Sequence, residues 1–174
     1  MRSLTFIGAI AIAVGIAAGV FFFGGYYSVA GTQAEPSLVA WALIHVRQAS
    51  IDRHATEMPT VPLDAATLVQ EGARVFADRG CVYCHGAPGA QWAKFSEGMH
   101  PDPPDLKEIA PRREPRELFW VIKNGINMTG MPGFGPIGTT DKDIWAVVAF
   151  IKKLPVVSEA DYKSWTTVAA KPGG

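Results

Sequence analysis

Hydrophobic and polar positions divide the chain into four stretches. From Leu4 to Ala30 the sequence is almost continuously apolar. A run of about 20 such residues is what a helix needs to cross a bilayer, so this stretch predicts a transmembrane helix ending near an aromatic interface at Tyr26 and Tyr27. Residues 35–57 follow, with Val39, Leu43, Val46 and Ser50 at helical spacing and Trp41 and Ile44 widening the stripe. Pro36 suits a first turn, and the pattern predicts an amphipathic helix that lies on the bilayer or docks on the protein that follows. Met58 to Pro62 holds two prolines and predicts a stop and a stiff linker.

Three more helices are legible beyond it. Leu68, Val69, Gly72, Val75 and Phe76 mark one that runs to about Asp78, with Asp64 as its expected N-cap. Gly72 offers a place where another helix can cross closely. A second begins near Pro115 and stops at Gly125. A third opens with a capping box at Thr140 and Asp143. It carries Ile144, Trp145, Val147, Val148, Phe150, Ile151 and Leu154 inward, and Pro155 ends it. The expected organisation is an anchor over 1–30, a helix and linker over 31–63, a domain over 64–155 and a tail over 156–174. The tail has few apolar anchors beyond Tyr162 and Trp165, and its end is expected to be mobile.

Composition narrows the function. The chain has 174 residues, with 16 basic and 16 acidic side chains and no formal net charge. Nucleic-acid binders carry a basic excess, so that class is excluded. Charge also bears on the N-terminus, where Arg2 is the only charged residue before Glu35. The stretch between them competes with a signal peptide, since Ser28-Val29-Ala30 would suit cleavage before Gly31. Its length exceeds the usual 7–15-residue apolar region and favours an uncleaved anchor. Arg2 then places the N-terminus in the cytoplasm and the remainder in a bacterial periplasm. The expected location is the inner membrane, with a single pass.

Two cysteines exclude a disulfide framework and any four-cysteine zinc or iron–sulfur site. They stand in Cys81-Val82-Tyr83-Cys84-His85, the C-x-x-C-H pattern of covalent haem c attachment. Two thiols at this spacing reach the two vinyl groups on one porphyrin edge, and the next residue places an imidazole beneath the iron. Cys81 and Cys84 are the expected thioether anchors and His85 the proximal ligand. A dithiol redox motif would want thioredoxin-like strands around it. A zinc site would want two further ligands. Export across a membrane supports haem, which is attached on the outer side. The 125–135 loop offers Met128 and Met131 as soft thioether donors for a sixth position, with packing beside the porphyrin as the alternative for Met128. Met99 reads as packing. Arg112, Arg113 and the Trp120 indole are candidate partners for the haem propionates, the alternative being a solvated basic turn and a core Trp. His45, His54 and His100 read as surface or packing residues.

Gly72-x-x-x-Phe76, the C-x-x-C-H motif, the late Met131-Pro132 and a closing aromatic helix together resemble a class I cytochrome c over about residues 64–155. Pro36-Ser37 leading a helix and the segment Ile122–Phe134 are also similar to membrane-anchored, single-haem bacterial cytochromes c. The resemblance implies an all-α fold in which the first and last domain helices cross at Gly72 and either Trp145 or Phe150. It implies Met131 as the axial ligand and, from the Pro104-Asp105-Leu106 turn, the Pro104 carbonyl as acceptor for His85. The path of the long loop between His85 and Pro104 is left open. The expected function is one-electron transfer between an unidentified redox donor and acceptor. A fixed subunit of a larger membrane oxidase or dehydrogenase is the alternative, and a haem enzyme or gas sensor a third.

Overall fold

The structure is a computed structural model that describes residues 2–33 and 35–167. Among them there are helices and no strand; Ala87 and Ala90 form one isolated bridge. The chain divides between residues 34 and 35 into two compact units.

The first unit is α1, Arg2–Phe23. Its Thr5–Phe23 segment has a mean hydropathy of 2.5 and none of it is buried. At 1.5 Å per residue it spans roughly the ~30 Å of a hydrocarbon core, so it is long and apolar enough to cross a membrane. The helix stops earlier than the apolar run suggests. Gly24 and Gly25 turn the chain, and Tyr27 folds back against Phe21 and Phe22 at 6.2 and 5.3 Å between ring centroids.

The second unit begins with α2, Ser37–His54. Its apolar and polar residues are segregated along its length rather than around its circumference, so the expected amphipathic stripe is not what the fold uses. The C-terminal half is docked: Ile51 and the following Ala55 are buried, and Gln48 meets Arg113 and Glu117. The His54 ring stacks on Trp120 at 6.1 Å. The N-terminal half projects, with Leu38, Trp41, Leu43, Ile44 and Val46 each at least half exposed.

Five helices follow in order before the tail: α3 (Ala66–Asp78), α4 (Cys81–His85), α5 (Leu106–Ile109), α6 (Pro115–Asn124) and α7 (Asp141–Lys153). The central element is α7, in which every residue from Ile144 to Ile151 is buried. Its start is capped as expected, with Thr140 Oγ1 accepting from the Asp143 amide. The α3 helix presents Val69, Gly72, Ala73 and Phe76 to it, the three-and-four spacing of one helical face. A Cβ on Gly72 would fall 1.8 Å from the Ala146 carbonyl oxygen, so the two backbones touch. Phe150 is the aromatic at the crossing; its Cβ lies 3.0 Å from that position and its ring packs on Phe76 at 5.3 Å. Trp145 instead stacks on Phe119 of α6 at 4.2 Å.

One local expectation is corrected and one element is added. Asp64 does not cap α3: the chain turns at Leu63–Asp64, and Ala65 holds the N-cap position with no side-chain bond. The tail carries a further helix, α8 (Glu159–Thr167), which packs on α3 through buried Tyr162 and half-buried Trp165. Ser158 caps it through the Asp161 amide, and Arg74 of α3 donates to the Trp165 carbonyl at 2.9 Å. The expected mobile end, residues 168–174, lies outside the described residues.

Replacing Gly72 with Ala forces α3 off α7, because its neighbour is backbone and cannot rotate away. Overpacking of this kind costs about 1–3 kcal/mol. Denaturant unfolding followed by helical circular dichroism should show that loss; an unchanged midpoint would mean that the helices do not cross in contact.

Candidate haem-binding site

The site begins where α3 ends. Gly80 turns the chain into α4, a single helical turn over Cys81–His85. Residues three and four apart share a helix face, so Cys81 shares a face with both Cys84 and His85. Cys81 and Val82 pack against the main core, as does Met131 from the other end of the domain.

The two thiols are unpaired. Burial pushes the Cys81 thiol up to about 12, with the nearby Cys84 adding to the rise and its own backbone amide and Arg79 opposing it. A dithiol built for disulfide exchange needs a depressed value, because the thiolate is the nucleophile. The direction here is opposite and lends no support to the redox-motif reading of C-x-x-C.

His85 is held in its neutral form. Burial lowers its pKa, opposed by the hydrogen bond to Pro104 and by the charge of Asp105. Its Nδ1 lies 3.0 Å from the Pro104 carbonyl oxygen. A carbonyl only accepts, so Nδ1 carries the proton and Nε2 keeps its lone pair. Metal-bound imidazoles are oriented in this way. Cys84 and His85 form one wall of a cleft of about 310 Å³, with Trp92, Ser96, Pro103 and Pro104 among its other walls. The donor set therefore fits a haem: two thiols one helical turn apart, an adjacent imidazole with a free Nε2, and open space beside Cys84 and His85.

The loop from Gly125 to Gly135 is pinned to the end of α6. Phe134 and Gly135 amides donate to the Ile122 and Lys123 carbonyls at 2.9 and 3.0 Å. These are carbonyls that a helix end leaves without partners. The contact is so close that a Cβ on Gly125, whose φ is +72°, would fall 2.6 Å from the Gly133 nitrogen. Inside the loop the Ile126 amide donates to the Met131 carbonyl at 3.1 Å, and the Met131 amide donates to Thr129 Oγ1, also at 3.1 Å. This turn leaves Met131 half-buried against the core. Met128, by contrast, is 90% exposed and has a positive φ.

The propionate candidates are dispersed. Arg113 is engaged by Gln48 and lies 3.7 Å from Glu117. Trp120 faces His54 of α2. Arg112 is exposed on a 3₁₀ turn, Ala110–Arg112. None of the three lines the cleft beside His85. Sequence reasoning missed what holds that turn: Lys152 of α7 donates from Nζ to the carbonyls of Ala110 and Arg113 at 2.7 and 3.0 Å. Only the position of Lys152 at the polar end of an apolar helix hinted at it.

A family model described as cytochrome c oxidase, cbb3-type, subunit III matches residues 67–151. No curated protein and no solved structure gives a significant match. The matched segment contains the whole C-x-x-C-H turn, and the cofactor is one haem c bound covalently through Cys81 and Cys84. Replacing both cysteines with Ser should leave no haem on the chain after acid–acetone extraction, whereas the wild type retains it. Retention by the double variant would mean that attachment runs through other residues. With the α3–α7 crossing, the C-x-x-C-H turn and the family match in agreement, residues 67–151 form a class I cytochrome c domain.

Proposed function

We propose that the protein is a membrane-tethered one-electron carrier whose haem iron is ligated by His85 and Met131. The observation that carries this reading is the pairing of a neutral, carbonyl-oriented His85 with a half-buried Met131 on a loop fixed to α6. The bound haem supplies a one-electron ferric–ferrous couple. His85 and Met131 would hold the iron between them, which would leave no iron site for a substrate and favours a carrier over a catalyst. A thioether donor favours the ferrous state and raises the potential. Pro104 fixes the His85 tautomer, and the main-chain bonds around Thr129 and Gly133 keep Met131 from drifting between redox states. Arg112, exposed on its turn, is the residue best free to meet a propionate.

The α1 helix is the tether. With Arg2 on the cytoplasmic side, the haem domain stands in the periplasm of a bacterial inner membrane. Tethering raises the effective concentration of the carrier near membrane donors and acceptors without added affinity. A second reading is favoured by two observations. The projecting half of α2 exposes five large apolar side chains, and the matched family is described as an oxidase subunit. A permanent seat on a larger respiratory complex would cover that projection. Gentle detergent extraction separates the readings: a free carrier runs at the mass of this chain plus its detergent micelle, and a fixed subunit runs with large partners.

Ferric wild type should show the far-red band of sulfur–iron ligation. Met131→Ala should abolish it and lower the reduction potential by on the order of 100 mV, while Met128→Ala leaves both unchanged. Rapid carbon monoxide binding by the ferrous wild type would contradict the carrier reading, because it requires an open sixth position.

A further inference from the structure

The segment from Gly86 to Asp105 is a strap with defined ties. It leaves His85, turns through mutual amide bonds between Ala87 and Ala90 at 2.9 Å, and is tied back to α4 by the Ala93 amide on the Tyr83 carbonyl at 2.7 Å. Ser96 is buried inside a 3₁₀ turn over Lys94–Gly98, and its Oγ donates to the Ala93 carbonyl. The Met99 amide closes that turn on the Ser96 carbonyl at 3.2 Å. The strap then returns to His85 at Pro104.

Met99 stands at the far reach of this strap and touches the other side of the site. A Cβ built on Gly130 would fall 2.2 Å from Met99 Cε and 3.3 Å from its Sδ. The thioether end of Met99 therefore lies directly on the backbone of Gly130, the residue before Met131. Among the described residues, Met99 is not one of those that pack on the main core, while Met131 is. The ligand loop is pinned at its C-terminal end, through Phe134 and Gly135. Its tip over Asn127–Gly130 is held by bonds within the loop, and Met128 there is exposed.

We propose that Met99 is a positioning residue that clasps the strap onto the ligand loop, so that one segment constrains both axial sides of the haem. The inference rests on the reading of Met131 as the axial ligand. The strap fixes His85 through the Pro104 carbonyl and fixes the approach of Met131 through the Met99–Gly130 contact. Methionine suits the second task because its flexible, polarizable end fills an irregular gap between two loops. The role is one of packing and does not require the Met99 sulfur to reach iron. Gly130 is part of the same contact, since any side chain there displaces the Met99 methyl.

The test compares the full-length, haem-loaded chain with Met99→Ala, Met99→Leu and Gly130→Ala in detergent. Three readouts are taken: the denaturant midpoint for loss of the far-red sulfur–iron band, the midpoint for loss of helix, and carbon monoxide uptake by the ferrous form. In Met99→Ala the band should be lost well before the helices, and carbon monoxide uptake should rise about tenfold or more. Amide hydrogen exchange at Gly130 and Met131 should also quicken. Met99→Leu restores the volume without sulfur and should behave as wild type. Gly130→Ala should follow Met99→Ala, and it keeps the test open if Met99→Ala does not accumulate. Wild-type behaviour of both Met99→Ala and Gly130→Ala would overturn the clasp. So would a Met99→Leu variant as impaired as Met99→Ala, because that places the role on the Met99 sulfur, or a sulfur–iron band persisting in Met131→Ala, because the iron ligand is then another methionine. Absence of the band from wild type would overturn the ligation reading itself, and the clasp with it. Its presence in wild type with no change in the variants would overturn the clasp alone.

Discussion

Two helices meet backbone to backbone at Gly72, and the haem site is positioned from that contact. Without a Cβ at this point, α3 settles onto the Ala146 carbonyl, and Phe76 and Phe150 close over the crossing. The crossing fixes where α3 ends and therefore where the Cys81–His85 turn begins. It also buries α7 over eight consecutive residues, which no single partner could do. α3 covers one side, and α6 covers another through the Phe119–Trp145 stack. The helix over Glu159–Thr167 then packs on α3 and stacks its Tyr162 on Phe150 of α7.

The chemistry of the site is held mainly by the main chain. The Pro104 carbonyl sets the tautomer of His85. Carbonyls at the end of α6 anchor the methionine loop, and Lys152 gathers the Ala110 and Arg113 carbonyls beneath the basic turn. Buried polar backbone groups must find partners, and here the partners are the loops that carry the functional side chains. This couples stability to function: the same bonds that satisfy the helix ends place the donors. The high Cys81 pKa and the lowered His85 pKa have the same origin in burial. Both favour neutral groups beside an apolar cofactor.

Much of this was legible in the sequence because it is local. The C-x-x-C-H turn needs only five adjacent residues. The bounds of α6 follow from Pro115 and Gly125, and the start of α7 from Thr140 and Asp143. The need for a close crossing at Gly72 was also legible; the choice of Phe150 over Trp145 was not, because it depends on how far α7 rotates. The misses share a cause. Asp64 has the right side chain for a cap, but the turn after Pro62 makes Ala65 the first helical acceptor. The α2 helix has a plausible stripe, yet only its C-terminal half finds α6. Tyr162 and Trp165 stood out as the tail's apolar anchors, but the helix they seat was not legible, because the surface they pack on is supplied by α3. The reach of Met99 to Gly130 spans thirty-one positions, and no periodicity encodes it.

Iron K-edge X-ray absorption of the ferrous full-length protein tests the central claim most directly. The account predicts one sulfur neighbour at bonding distance alongside nitrogen neighbours from the porphyrin and His85, with the sulfur absent from Met131→Ala. An iron surrounded by nitrogen alone in the wild type, or one short of a sixth neighbour, would contradict it.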